Sequence, residues 1–125
     1  MRSLPFKIEE LNGGFALVEG ILSVKENKLC IEFHKKDAVF GAIKSDVKSI
    51  EIPFSGIDMM EYKKGLFSAK LTIYGKNATA LKDLPGDDLT TRKLKIERKN
   101  REIAANISSK VNLELSEMKL RELDD

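Results

Sequence analysis

Cys30, Glu32 and His34 occupy alternate positions of one short run, and they are the residue types of a nucleophile, a carboxylate and a base, or of a metal site. In an extended strand each residue advances about 3.3 Å, which separates Cys30 from His34 by roughly 13 Å. A nucleophile and its base must approach to about 3 Å, so a direct dyad is excluded. Metal binding would need donors from a second strand, and the chain has one His and one Cys in all. No metal and no cofactor is therefore expected. The carboxylate pairs Asp58 with Glu61 and Asp87 with Asp88 have the types for acid–base work, but 20 acidic residues in 125 form such pairs by chance. Gly13-Gly14 is not followed by a helical pattern and Gly65 precedes a strand pattern, so neither reads as a phosphate loop. The expectation is that the protein is not an enzyme.

Recognition chemistry is better represented. Lys63 and Lys64 stand beside Leu66 and Phe67, two cations next to two apolar side chains, a combination suited to an anionic membrane or a partner groove. Residues 92 to 101 hold Arg92, Lys93, Lys95, Arg98, Lys99 and Arg101 against Glu97 alone, and Arg92, Lys93, Lys95 and Lys99 form a candidate basic patch. A solvated face that keeps the chain soluble is the commoner origin of such a run. Nucleic-acid binding would interleave exposed aromatics with the cations. None lies between 92 and 99, so nucleic acid is not an expected partner. Acidic residues gather at the other end, with Glu114, Glu117, Glu122, Asp124 and Asp125 against Lys119 and Arg121.

These residues must be positioned by strands. Ile57, Met59 and Glu61 alternate with Asp58, Met60 and Tyr62, and Phe67, Ala69, Leu71 and Ile73 alternate with Ser68, Lys70, Thr72 and Tyr74. That is period two, apolar on one side and mixed on the other. Between the two runs, Lys63-Lys64-Gly65 reads as a hairpin loop, with Gly65 supplying a positive φ. Pro53 stops the preceding strand. Residues 4 to 11 read as a short lead-in strand ended by Asn12-Gly13-Gly14. Residues 15 to 25 are apolar on both parities, which predicts a long strand bent at Gly20 that turns different sides inward in its two halves. Glu26-Asn27 makes a tight turn into residues 28 to 35, with Leu29, Ile31 and Phe33 inward. Residues 38 to 46 read as a loop or short strand with Val39, Phe40 and Ile43 partly buried, and residues 47 to 52 as a strand with Ile50 and Ile52 inward. Pro85-Gly86-Asp87-Asp88 marks a turn in a segment long enough for a mobile loop at a barrel mouth. Residues 92 to 98 form the last strand, with Leu94 and Ile96 inward and basic residues on the other side.

From Asn100, an N-cap by residue type, the period becomes helical. Ile103, Ala104, Ile107, Val111, Leu115 and Met118 make one stripe, expected across an open end of the barrel. Leu113, Leu120 and Leu123 fall off the stripe and are candidates for self-association, packing on the N-terminal segment or fraying being the alternatives. The totals place the chain as one domain, residues 1–125, with strands over about 15–98, a helix over about 100–118 and a tail over 119–125. A hydrophobic share of 42% beside 34% charged residues is an ordinary soluble composition. No stretch approaches the length of a membrane span, and the N-terminus carries no apolar run of a signal peptide. With one cysteine, a cytoplasmic location is the default.

The segment Ile-Pro-Phe-Ser-Gly-Ile at 52–57, followed by Gly-Leu-Phe-Ser-Ala-Lys-Leu-Thr-Ile at 65–73 and a terminal helix, resembles bacterial pleckstrin-homology-like domains, which are similar to GRAM domains. The resemblance spans about residues 15 to 118. It implies a bent antiparallel barrel of seven strands capped by the helix, and a scaffold that recognises peptides, proteins or membranes without doing chemistry. In eukaryotic relatives basic residues near the first hairpin receive phosphoinositide headgroups; here that hairpin carries Lys25 and Lys28, and the terminal helix lacks the usual tryptophan. The function expected is a non-enzymatic module that binds a protein partner or itself through a strand edge, the tip at Lys63 to Phe67 or the terminal helix. The alternative is peripheral binding to anionic membrane lipid through the basic hairpin tip.

Overall fold

A computed structural model describes residues 3–43 and 45–124, with Glu10 and Asn12 described for the backbone alone. Asp125, counted above in the acidic tail, lies outside the described residues together with Met1, Arg2 and Lys44. The chain forms β1 (Leu4–Leu11), β2 (Ala16–Lys25), β3 (Lys28–Asp37), β4 (Lys48–Pro53), β5 (Ile57–Lys64), β6 (Ser68–Gly75), β7 (Thr91–Glu97) and α1 (Arg101–Asp124). All strand pairings are antiparallel, in one sheet of order β4-β3-β2-β1-β7-β6-β5. The fold is mainly β with one C-terminal helix, as the periods predict. The expected closed barrel is not formed, because β4 and β5 are the two edges of the sheet. Pro53 ends β4, and Phe54–Gly56 form a 3-10 turn between those edges. β1 and β7 are aligned at a single pair, Lys7 opposite Lys95, so the middle of the sheet is loosely laced.

One face of every strand contributes to a single buried cluster, which curls the sheet around its own apolar side. Period two is plain in β1 (Leu4, Phe6, Ile8), β3 (Leu29, Ile31, Phe33) and β7 (Leu94, Ile96), all buried. β2 departs from expectation. Ala16, Val18 and Leu22 are buried on one parity throughout, so the strand does not change sides at Gly20. A Cβ at Gly20 would stand 2.6 Å from Phe6 Cζ and 2.6 Å from the Glu32 carbonyl oxygen, so the glycine makes way for a ring. In β5 the register shifts between Ile57 and Met59, a bulge that turns Met60 inward and leaves Met59 exposed. Thr72, expected on the outer side, is buried there between its cross-strand neighbours Glu61 and Lys93. The left-handed turn is at Glu26 (φ 51°) and Asn27 (φ 63°), as a two-residue hairpin demands. Gly65 has no positive φ; a side chain there would collide with the Ser68 carbonyl oxygen.

Val39, Phe40 and Ile43 are exposed rather than partly buried. The Asp37 carboxylate accepts hydrogen bonds from the Val39 and Phe40 amides at 2.8 and 3.1 Å, and this turn lifts the segment off the sheet. The segment at 76–90, expected as a mouth loop, is anchored in the core at two points. Leu81 and Leu84 are fully buried, and the Arg92 side chain holds the carbonyls behind them.

The helix begins at Arg101, after a 3-10 turn at Arg98–Asn100, and continues to Asp124, so the expected tail from 119 is helical. Asn100 closes that turn directly before α1, and its Nδ2 is buried without a hydrogen-bond partner. Ala104, Ile107, Val111 and Leu115 are buried, with Ile103 and Met118 packed beside them. The stripe lies chiefly along β5, touching β6 and β7, rather than across an open end. Asn112 fastens it there: its Oδ1 accepts the Met60 amide at 2.9 Å and its Nδ2 donates to the Met60 carbonyl at 2.8 Å. One side chain thus satisfies a rung of the β5 edge as a neighbouring strand would.

Candidate functional site

The two basic groups seen in the sequence lie some thirty residues apart, and strand register brings most of them together. Lys63 of β5 stands opposite Lys70 of β6, Lys70 opposite Lys95 of β7, and Lys95 opposite Lys7 of β1. With neighbouring strands about 4.8 Å apart, the four positions make a transverse row of roughly 14 Å. Their chain neighbours Phe6, Ile8, Ala69, Leu71, Leu94 and Ile96 are buried, which directs the lysines to the face away from the core. Lys93 occupies the next rung, opposite Thr72. Lys63, Lys64, Lys70, Lys93 and Lys95 line one depression of ≈ 450 Å³ together with Glu9.

Like charges directly opposite one another destabilise a sheet, and only part of this row is neutralised. Lys95 Nζ lies 3.4 Å from the Glu9 carboxylate. Lys7 stands opposite Glu19, whose carboxylate is shared with Lys36 at 3.1 Å and His34 at 3.6 Å. Among the described residues, Lys63, Lys64, Lys70 and Lys93 form no ion pair. They constitute a candidate anion site built against local repulsion.

At one end of the row the β5–β6 loop projects Leu66 and Phe67, 75% and 81% exposed. Phe67 therefore does not join the apolar parity of β6 that its position suggests. Arg101 Nη1 donates to the Gly65 carbonyl at 3.0 Å and ties this tip to the start of α1. Phe67 and Lys95 also border a larger outer groove of ≈ 660 Å³, walled by Pro5, Ile21 and Val47, where β1 and β7 diverge.

Arg92 is not part of this surface. It shares the parity of Leu94 and Ile96, is 5% exposed, and donates from Nε to the Leu84 carbonyl at 2.8 Å and from Nη2 to the Leu81 carbonyl at 3.0 Å. Its Nη1 reaches the carbonyls of Thr91, at 2.9 Å, and Asp88. Burial pushes the guanidinium below its ordinary value, and the nearby Asp88 and Asp87 carboxylates act in the opposite direction. Asp88 itself is held below the usual aspartate value, first by the Thr90 amide and also by the Thr91 amide. Lys99 lies beyond β7, exposed and 3.6 Å from Glu97, off the row. Leu113, Leu120 and Leu123 are exposed on α1 and do not line the depression at Lys63, Lys70 and Lys93. Cys30 and His34 face different carboxylates, Glu51 and Glu19, and do not meet.

Lys7 and Lys70 escaped the sequence reading. Lys70 was recoverable, since a hairpin closed over 65–68 sets it opposite Lys63; Lys7 depends on a contact between chain positions 7 and 95 that no local pattern announces. Comparison with known proteins returned no matching family model, no matching curated protein and no matching solved structure.

Proposed function

We propose that this chain is a non-enzymatic interaction module of pleckstrin-homology-like architecture that docks on an anionic membrane surface. The carrying observation is the convergence of Lys63, Lys64, Lys70 and Lys93, unpaired among the described residues, beside the projecting Leu66-Phe67 tip. Seven antiparallel strands followed by a helix laid on the last three match the element order the family resemblance calls for. Docking would be peripheral, since no helix among the described residues is long and apolar enough to cross a membrane.

A lysine near an anionic leaflet contributes about 1 kcal/mol, so the four unpaired lysines supply about 4 kcal/mol. Partial burial of Leu66 and Phe67 among acyl chains adds about 2 to 3 kcal/mol. The sum corresponds to a dissociation constant on the order of 10 µM, typical of reversible recruitment. Recognition of an extended peptide at a sheet edge is less well supported. Asn112 occupies a rung of the β5 edge, while β4 is short and ends in Pro53.

Flotation with neutral and anionic vesicles tests the reading. The chain should float only with anionic vesicles, weakly at high salt, and Lys63→Glu/Lys64→Glu should abolish flotation without unfolding the domain. Equal flotation of wild type and double variant, or salt-independent binding, would remove the lysine row from the mechanism.

A further inference from the structure

α1 carries a second line, with leucines at its C-terminal half, that its own sheet does not use. Asn106, Ser109, Leu113, Ser116, Leu120 and Leu123 fall at alternating intervals of three and four residues, the seam spacing of a coiled coil. Leu113, Leu120 and Leu123 are 59%, 60% and 81% exposed, while the stripe at Ala104, Ile107, Val111 and Leu115 is buried against the sheet. The helix thus has a buried apolar stripe and a second line whose three leucines have no partner among the described residues.

From this we infer that a second copy of the chain pairs with the first along the Leu113–Leu123 line, the two helices running parallel. Flanking charge selects both the occupant and its direction. In a parallel pair the position before one seam residue faces the position after a seam residue of the next heptad on the other helix, so Lys119 of each copy meets Asp124 of the other. An antiparallel pair centred on the same leucines would set Lys119 against Lys119 and Glu117 against Glu117, which repels. Leucine holds only three of the six seam positions, Asn106, Ser109 and Ser116 being polar, so association in free solution is weak and reversible.

Parallel pairing has a consequence for the membrane reading, on which this part of the inference rests. The two-fold axis runs along the helices, and the Arg101–Gly65 hydrogen bond fixes each Leu66-Phe67 tip near its helix N-terminus. Both tips therefore lie at the same end of the dimer and engage one surface together. Bivalency raises avidity by on the order of 100-fold.

Sedimentation of the full chain from micromolar to millimolar concentration, without lipid, tests the pairing. Wild type should shift from monomer towards dimer, Leu120→Asp/Leu123→Asp should remain monomeric, and Leu123→Cys in a Cys30→Ser background should form a disulfide-linked dimer on oxidation. A wild type that stays monomeric, or a dimer indifferent to Leu120→Asp/Leu123→Asp, overturns the pairing. A wild type that dimerises while the oxidised Leu123→Cys variant gives no cross-link overturns the parallel sense. Because these readings contain no lipid, a dimer that fails to float refutes the membrane reading alone, whereas a monomer that floats refutes the dimer alone.

Discussion

Lys70 sits at the centre of the lysine row, so its replacement by Glu should move stability and binding in opposite directions. In the native sheet it faces Lys63 on one side and Lys95 on the other, and of those two only Lys95 has a carboxylate at hand, Glu9 at 3.4 Å. Cross-strand pairs contribute about 0.2 to 1 kcal/mol each, with like charges unfavourable. Turning two repulsive pairs into attractive ones should stabilise the fold by about 1 kcal/mol, a rise in melting temperature of roughly 4 °C for a domain of this size. The same change reverses one charge on the docking face. At about 1 kcal/mol per unit charge, binding to anionic vesicles should weaken by about 2 kcal/mol, roughly 30-fold. Thermal unfolding at low and high salt, with vesicle titration alongside, measures both. The stability gain should shrink as salt screens the wild-type repulsion. A less stable Lys70→Glu, or one that binds vesicles as wild type does, would refute the view that the row trades fold stability for anion recognition.

Three further outcomes are expected. Arg92→Ala should destabilise the domain by about 3 kcal/mol in denaturant unfolding, since several carbonyls lose a charged donor, and Arg92→Lys should recover little because one ammonium cannot reproduce the fork. Asn112→Ala should cost about 1 to 3 kcal/mol and raise the hydrogen-exchange rate of the Met60 amide, with Asn112→Asp restoring an acceptor for that amide but not the donor for the Met60 carbonyl. Asp88 has a folded pKa below its ordinary 3.8, so its contribution to stability is present above that value and is lost as pH falls through the folded one. Melting temperatures of wild type and Asp88→Asn should therefore differ at neutral pH and converge below pH 3.8; a constant gap down into strong acid would argue against the Thr90 and Thr91 amides as the cause.

Local period and turn chemistry were enough to locate β3, β5, β6, β7 and the helix, because side-chain alternation and helical spacing are properties of a few consecutive residues. They also placed Leu29, Ile31, Phe33, Leu94 and Ile96 in the core, whereas Arg92, read from its charge as part of an outer basic patch, shares the parity of Leu94 and Ile96 and is buried with them. Tertiary structure alone decided what depends on distant partners. The bulge between Ile57 and Met59 inverted the parity of β5, and the passage of the Phe6 ring explains Gly20, which local reading had taken for a bend. Openness of the sheet follows from β4 and β5 not pairing, a fact about two edges rather than about either strand. The lysine row is of the same kind. Each lysine was visible in the chain as one polar residue on an outer face, but only the register of β5, β6, β7 and β1 puts Lys63, Lys70, Lys95 and Lys7 side by side, since the energy that sets this register comes from the apolar residues on the opposite face.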